Sequence, residues 1–301
     1  MNWRKLGLIF KIPKNINWVH DRTWVPTVER INDSILKVYF GGKNKEGYTQ
    51  TGYFVIDIND YNTIIEISAT PVIALGSLGS FDDSLALACS LVNKNGMKYL
   101  YYVGWMQGKR VRYYPSIGLA ISKDKGKTFQ KYSNAPLIER TNNDPYGMAS
   151  PFVLAESTGW KMWYASYRKW ELRKNEPWPT YELRFAESMD GINWNLSDKK
   201  CIGSDQEEAV ARPYVIKEQN LYRMWYTYRK KFGQYKIGYA ESNDGINWNR
   251  LDDEVGITTS DAGWDADMIC YPCVFRHGGN TYMFYNGNNF GGDGIGLAVL
   301  E

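Results

Sequence analysis

The sequence predicts an all-β fold: a five-bladed β-propeller with four antiparallel strands per blade, its ring closed by the N-terminal strand. Three observations predict it. A segment of the type x-Pro-x-Val recurs five times at intervals of about sixty residues, each copy leads through a polar turn into a Tyr/Trp-rich alternating strand, and a third strand pattern follows. A period of this size, with strands and no helical stripe, marks radially repeated sheets.

The anchors of the first strands are Pro26, Cys89 in place of proline, Pro151, Pro213 and Pro272, spaced by 63, 62, 62 and 59 residues. Their segments read Trp24-Val-Pro-Thr-Val, Ala88-Cys-Ser-Leu-Val, Ala149-Ser-Pro-Phe-Val, Ala211-Arg-Pro-Tyr-Val and Cys270-Tyr-Pro-Cys-Val. Polar hairpin tips such as Asn93-Lys-Asn-Gly and His277-Gly-Gly-Asn follow. The second strands then alternate, as in Lys98-Tyr-Leu-Tyr-Tyr and Arg223-Met-Trp-Tyr-Thr-Tyr.

Third strands repeat as Ser116-Ile-Gly-Leu-Ala-Ile-Ser, Leu183-Arg-Phe-Ala-Glu-Ser, Lys236-Ile-Gly-Tyr-Ala-Glu-Ser and Gly294-Ile-Gly-Leu-Ala-Val-Leu, with Gly52-Tyr-Phe-Val-Ile-Asp as a weaker first copy. Three run into turns, Ser122-Lys-Asp-Lys-Gly, Ser188-Met-Asp-Gly and Ser242-Asn-Asp-Gly. There the carboxylate accepts backbone N–H groups and glycine accepts positive φ, so these acids are expected to build turns rather than to catalyse. The fifth repeat stops at Glu301 without an outer strand, and residues 5 to 12, around Leu6-Gly-Leu-Ile-Phe-Lys-Ile, are expected to supply one beside residues 294 to 300. Residues 1–301 thus form one expected domain.

Composition narrows the function. Aromatic residues make up 15% of the chain, with 23 Tyr and 12 Trp, which suits packed sheets and also the faces on which sugar rings stack. Thirty-six Lys and Arg against 33 Asp and Glu leave a net charge of +3 with no long basic run, which argues against a nucleic-acid partner. No apolar stretch approaches a membrane span and no signal-peptide pattern opens the chain, so no membrane insertion and a cytoplasmic location are expected. Cys270-Tyr-Pro-Cys273 has C-x-x-C spacing. With only His20 and His277 and no second thiol pair, no zinc-type metal site and no cofactor are expected, a structural calcium ion in the central tunnel staying open.

The repeats, the x-Pro-x-Val strands and the Ser-x-Asp-Gly-x-x-Trp turns resemble the five-bladed propeller superfamily that includes glycoside hydrolase families 32, 43, 62 and 130. More narrowly, Gly79-Ser-Phe-Asp-Asp-Ser, Tyr102-Val-Gly-Trp, Ala211-Arg-Pro, Trp264-Asp-Ala-Asp-Met-Ile-Cys-Tyr-Pro and Tyr285-Asn-Gly-Asn resemble an uncharacterised propeller family of bacterial surface-polysaccharide gene sets. The resemblance implies a central funnel in which carboxyl groups flank a bound sugar, one as general acid and one as base or nucleophile. The Asp-Pro of family 43 has no counterpart in register. Asp144-Pro145, the only such dipeptide, falls six residues early.

Counting back from the anchors, carboxylates recur five or six residues earlier as Asp21, Asp83, Glu207, Glu208 and Asp267, with His20 beside Asp21. If these entrances to the first strands ring one mouth, Asp21, Asp83 and Glu208 form an acid/base set, with Asp267 assisting and His20 and Glu207 binding the substrate; the bland alternative is solvated or turn-capping loop acids. By strand alternation Arg212 shares a side with Glu208 and Tyr271 with Asp267, so Arg212 either pairs with a carboxylate or clamps an anionic group of the ligand. Trp105, Arg110, Arg112, Tyr167, Arg168, Trp170, Tyr228, Arg229, Asn286 and Asn288 follow the second strands around the same mouth, and the Arg168–Thr180 insertion is the candidate lid or specificity loop.

Two functions follow. One is a glycoside hydrolase-like enzyme acting on a glycosidic or sugar-phosphate bond of an intracellular glycan or activated sugar, in polysaccharide metabolism; the other is a non-catalytic carbohydrate-binding or scaffolding propeller. A sialidase is a weaker third, since the Ser122 turn matches one found there while the blade count does not.

Overall fold

The computed structural model describes residues 1–203, 209–230 and 233–301. After β1 (Trp3–Phe10) the chain forms β2 (Asp21–Arg30), β3 (Ile35–Lys43), β4 (Thr49–Asp57) and β5 (Asp60–Ile67), a four-stranded antiparallel unit. The second unit is β6 (Leu85–Lys94), β7 (Met97–Gln107), β8 (Tyr113–Ser122) and β9 (Gln130–Lys131); the third is β10 (Met148–Glu156), β11 (Gly159–Arg173), β12 (Glu176–Ser188) and β13 (Trp194–Ile202). The fourth is β14 (Ala209–Glu218), β15 (Leu221–Arg229), β16 (Lys236–Ser242) and β17 (Asn249–Arg250). The last, β18 (Cys270–His277), β19 (Asn280–Asn286) and β20 (Ile295–Leu300), takes its fourth strand from the N-terminus: β1 runs antiparallel to β20, from Trp3 opposite Leu300 to Phe10 opposite Ile295. The first strand of each unit packs beside the first strand of the next, and β18 beside β2.

Each x-Pro anchor is a β-bulge. The residue before the proline has left-handed φ in four units, Val25 (52°), Ser150 (51°), Arg212 (52°) and Tyr271 (56°), and the pairing of β2, β10, β14 and β18 with its neighbour slips at each of these points. Proline lacks the N–H a regular ladder would need, so mid-sheet it belongs at such a slip. In β6, where Cys89 replaces proline, the slip persists without the left-handed residue. Side chains of neighbouring units satisfy bulge N–H groups: Val25 N–H donates to Asn286 Oδ1 at 2.9 Å and Tyr271 N–H to Thr227 Oγ1 at 2.7 Å.

A second device repeats. On each second strand a buried tyrosine donates to a carboxylate that also meets a basic side chain. Tyr102 donates to Asp82 (2.9 Å), which pairs with Lys131 (2.6 Å), and Tyr285 donates to Asp265 (3.0 Å), which pairs with Lys5 (2.7 Å). Tyr164 reaches Asp144 at 3.4 Å beside Arg184, Tyr226 reaches Asp252 beside Arg250, and Tyr39 reaches Glu29 beside Lys98. Burial pushes these phenols far above the ordinary tyrosine value, which keeps them donors. Asp82, Asp144 and Asp265 each lie seven residues before an anchor. Asp144, the only Asp-Pro acid, is therefore tied into the fold.

The Ser-x-Asp-Gly turns form as expected. Asp190 Oδ1 accepts the N–H groups of Ile192 and Asn193, both at 2.8 Å, Gly191 has φ 76°, and the Trp194 indole donates to Gly191 O. Those backbone donors hold the Asp190 carboxyl well below the ordinary aspartate value of 3.8. Because its folded pKa is depressed, its stabilisation is complete above that value and fades as pH falls below it. Asp190→Ala should therefore lower the denaturation midpoint at pH 7 and narrow the gap to the wild type as pH drops below about 4; a gap that stays constant to pH 2 would contradict this.

Removing residues 1–10 strips Trp3, Ile9 and Phe10 from the core and bares β20 as an edge. At roughly 1.5–3 kcal/mol per buried apolar side chain, the loss of about 5–9 kcal/mol rivals the whole stability of a domain. The truncated chain should melt far lower or aggregate, read by calorimetry and size-exclusion chromatography.

Candidate functional site

At one end of the first strands all five units line a single cup of about 390 Å³. The bulges set it up: Val25, Ser150 and Tyr271, three of the four left-handed residues, face it. Its wall holds nine aromatic residues: Trp24, Trp105, Tyr113, Tyr167, Trp178, Tyr181, Tyr235, Tyr271 and Phe290. Trp105 stacks on Tyr113 (centroids 3.9 Å, planes 5° apart) with Trp24 edge-on at 6.2 Å. The indole N–H groups of Trp24 and Trp105 are buried without a hydrogen-bond partner. Phe290 enters from the turn after β19, where it and Asn289 take left-handed φ of 56° and 55°.

Four cations line the cup, Arg22, Lys43, Arg112 and Arg229, and no carboxylate does among the described residues. Burial, together with the Arg22 guanidinium, pushes the Lys43 amine below its ordinary value. Burial drives the Tyr113, Tyr167, Tyr181 and Tyr271 phenols upward, so the wall presents hydroxyl donors and no phenolate.

The cup opens into a larger groove of about 870 Å³, sharing Arg112, Trp178, Arg229, Tyr235 and Phe290 with it. The groove is walled by the Arg168–Thr180 insertion, expected as a loop. It is instead a β-ribbon: β11 and β12 stay paired out to Arg173 opposite Glu176, joined by Lys174 and Asn175, both with positive φ, as a two-residue hairpin requires. Trp178 projects from this ribbon into cup and groove alike.

Of the residues expected at the site, Trp105, Arg112, Tyr167, Arg229 and Tyr271 line the cup, and Arg110 and Tyr228 do not. Glu207 and Glu208 lie outside the described residues. Asp21 and His20 line a separate pocket of about 170 Å³, with Asp21 3.1 Å from Arg22 Nε. Asp83 accepts from Gly79 N–H at 2.9 Å and Ser84 Oγ at 2.7 Å, holding a turn, and Asp267 is solvent-exposed. Asn288 binds the N–H of Asp267 and of Met268, and Asn286 donates to Thr23 O and Gly294 O across the first and last units. Arg168 turns to Asn143 O and Glu182, while Trp170 packs behind the cup wall on Tyr113 and Tyr167. The described mouth is thus basic where an acidic one was expected. Positions five before the anchor precede the strand in β6, β10 and β18, where side-chain alternation does not yet operate.

Arg212 corrects a second expectation. Its side chain is fully buried and neither lines the cup nor meets a carboxylate among the described residues. One guanidinium nitrogen donates to Cys89 O and the other to Pro26 O (2.7 Å) and Thr27 Oγ1 (2.9 Å), so it ties the fourth unit to the first and second at their bulges. Missing from the site residues expected by sequence are Trp24, Lys43, Tyr113, Trp178, Tyr181, Tyr235 and Phe290. Their only common sequence signal is aromatic or basic character, without a shared position in the repeat.

No family model matches the chain. It is 36% identical over 304 residues to the uncharacterised protein Rv1502 of Mycobacterium tuberculosis (strain ATCC 25618 / H37Rv), the match covering 100% of both chains. Among solved structures it superimposes on a glycoside hydrolase with a TM-score of 0.79 at 17% identity, covering 99% of this chain and 91% of the other. A thermostable family-43 glycoside hydrolase follows at 0.69 and 15%, covering 95% and 91%. At these identities the likeness is one of fold: the chain has the fold of propeller-type glycoside hydrolases.

Arg212→Met should cost roughly 3–5 kcal/mol, because buried carbonyls at two bulges lose their donor. Urea denaturation measures it, and a midpoint equal to the wild type would remove Arg212 from this structural role.

Proposed function

The chain belongs to the family of Rv1502 and has the fold of propeller-type glycoside hydrolases, and from that premise we propose that it is a carbohydrate-active protein, a single five-bladed propeller over residues 1–301, that takes a sugar in the aromatic cup and acts on its glycosidic bond. The observation that carries this is the convergence of nine aromatic residues from all five units on one cup of about 390 Å³. That volume lies within the ~300–1,000 Å³ of small-molecule sites, and ring faces with a few placed donors are what a pyranose needs: apolar C–H faces to stack, hydroxyls to bond.

Glycosidic cleavage needs one carboxyl group to protonate the leaving oxygen and a second to act as base or nucleophile. Asp21 and Asp83 are engaged elsewhere, so the proposed acid/base work falls to Glu208 with Glu207. In the sequence they stand three and four residues before Ala211, which lines the cup. The chemistry proposed uses side chains alone, and a chelator should leave binding and turnover unchanged.

A second reading, a sugar-binding propeller without turnover, is favoured by the absence of any carboxylate from the described cup lining. Glu208→Gln and Trp105→Ala separate the two. For the enzyme, Glu208→Gln lowers turnover of a responsive glycoside by at least about 100-fold with affinity retained, and Trp105→Ala weakens binding. For the binder, the wild type turns over nothing in a glycoside panel and only Trp105→Ala has an effect. If wild-type turnover survives Glu208→Gln in full, the proposed catalytic assignment is lost.

A further inference from the structure

Arg229 holds a charge that nothing described in the protein neutralises. It is 4% exposed, lines both cup and groove, and its guanidinium lies 5.1 Å from the Trp178 ring and 5.6 Å from that of Tyr235. One terminal nitrogen donates to Pro179 O at 3.0 Å, while Nε is buried with no partner, and no carboxylate among the described residues pairs with it. The buried carboxylate–tyrosine–cation sets described above are balanced within the fold, and buried Arg212 gives both terminal guanidinium nitrogens to backbone and hydroxyl oxygens, where Arg229 gives one. A guanidinium so desolvated is costly unless an anion meets it.

The surroundings add positive charge. Three guanidinium groups gather on one indole: Arg112 at 5.2 Å and Arg173 at 5.7 Å from Trp178 join Arg229. Arg112 is offset by Glu176 at 3.0 Å on the exposed rim, and the Glu171 carboxylate supports the Arg173 charge. Across the cup Lys43 and Arg22 flank Trp24 at 5.4 and 5.8 Å. Planar guanidinium forks beside an aromatic face suit an oxyanion held bidentately next to a stacked sugar ring.

Resting on the sugar-binding reading above, we infer that the ligand is an acidic glycan or glycoconjugate longer than one sugar, whose carboxylate or phosphate sits on Arg229 at the neck between cup and groove, with one residue in the cup and the next along Trp178 in the groove. The two compartments share Arg112, Trp178 and Arg229, so a ligand filling both must pass this cationic neck. That position distinguishes the inference from mere surface attraction.

The test is binding of the full-length protein to an array of neutral, uronate-containing and phosphate-containing oligosaccharides, with titration of the responding compounds. Binding should favour acidic members over their neutral counterparts by at least about tenfold, rise from mono- to disaccharide, and weaken with added salt. The uronate and phosphate arms tell which oxyanion is taken. Arg229→Gln should abolish that preference and Arg229→Lys restore part of it, since a point charge keeps the attraction but not the fork. Should Arg229→Gln fail to fold, Arg112→Gln, on the exposed rim, should still reduce the preference and the salt dependence. Equal binding of neutral and acidic glycans, or a preference untouched in a folded Arg229→Gln, overturns the inference while leaving sugar binding intact. If no glycan of any kind binds, the sugar-binding reading falls and this inference with it.

Discussion

The bulge in the middle of each first strand is the constraint on which the rest of the structure depends. A left-handed, non-glycine residue before proline is disfavoured twice, by its own Cβ and by the proline ring that follows, at about 1–3 kcal/mol each. Four such residues persist because the neighbouring units over-determine them. Asn286 accepts the N–H of Val25, Thr227 accepts that of Tyr271, and Arg212 donates to the carbonyls of Pro26 and Cys89. In return the bulge turns residues before the proline out of the ladder and into the cup. The same local irregularity thus fastens one unit to the next and builds the wall of the site.

Charge is divided between two tasks. In the body of the fold buried acids are matched by bases: each second strand carries a tyrosine–carboxylate–cation set, and Asp82 and Asp265, nearly inaccessible to solvent, are balanced by Lys131 and Lys5, while buried Arg212 donates to backbone carbonyls. Buried ions matched in this way hold geometry at little net gain in stability. At the mouth the matching is incomplete. Arg22 and Arg112 have Asp21 and Glu176, but Arg229 is flanked by the Trp178 and Tyr235 rings with no carboxylate among the described residues, and what the fold withholds there a ligand can supply.

Strand periodicity made much of the architecture legible beforehand. The sixty-residue period, the hairpin tips, the Ser-x-Asp-Gly turns and the missing outer strand of the last repeat each follow from short-range chemistry that a chain writes directly: alternation, turn glycines, Asx carboxylates. The pairing of β1 with β20 was readable for the same reason, shifted two residues from the expected span. Trp105 and Tyr271 were readable as cup residues because each occupies a repeated position at a strand end.

Which side chains meet across units was not legible, since it depends on the bulges and on separations of tens to hundreds of residues. The acids counted back from the anchors looked like a ring, but at Asp83 and Asp267 the chain is still in a loop, and Asp21 opens onto a different pocket. Arg212 looked like either an ion-pair partner of funnel carboxylates or a clamp on the ligand; burial and the carbonyls of Pro26 and Cys89 make it the tie between three units. The Arg168–Thr180 insertion looked like a loop and is a paired ribbon that delivers Trp178 beside Arg229 and Arg112. The sequence by itself determined the strands, their turns and their repetition, because those arise from neighbours along the chain. Only the tertiary structure decided that the mouth is aromatic and basic, because desolvation and charge pairing are set by what packs across it.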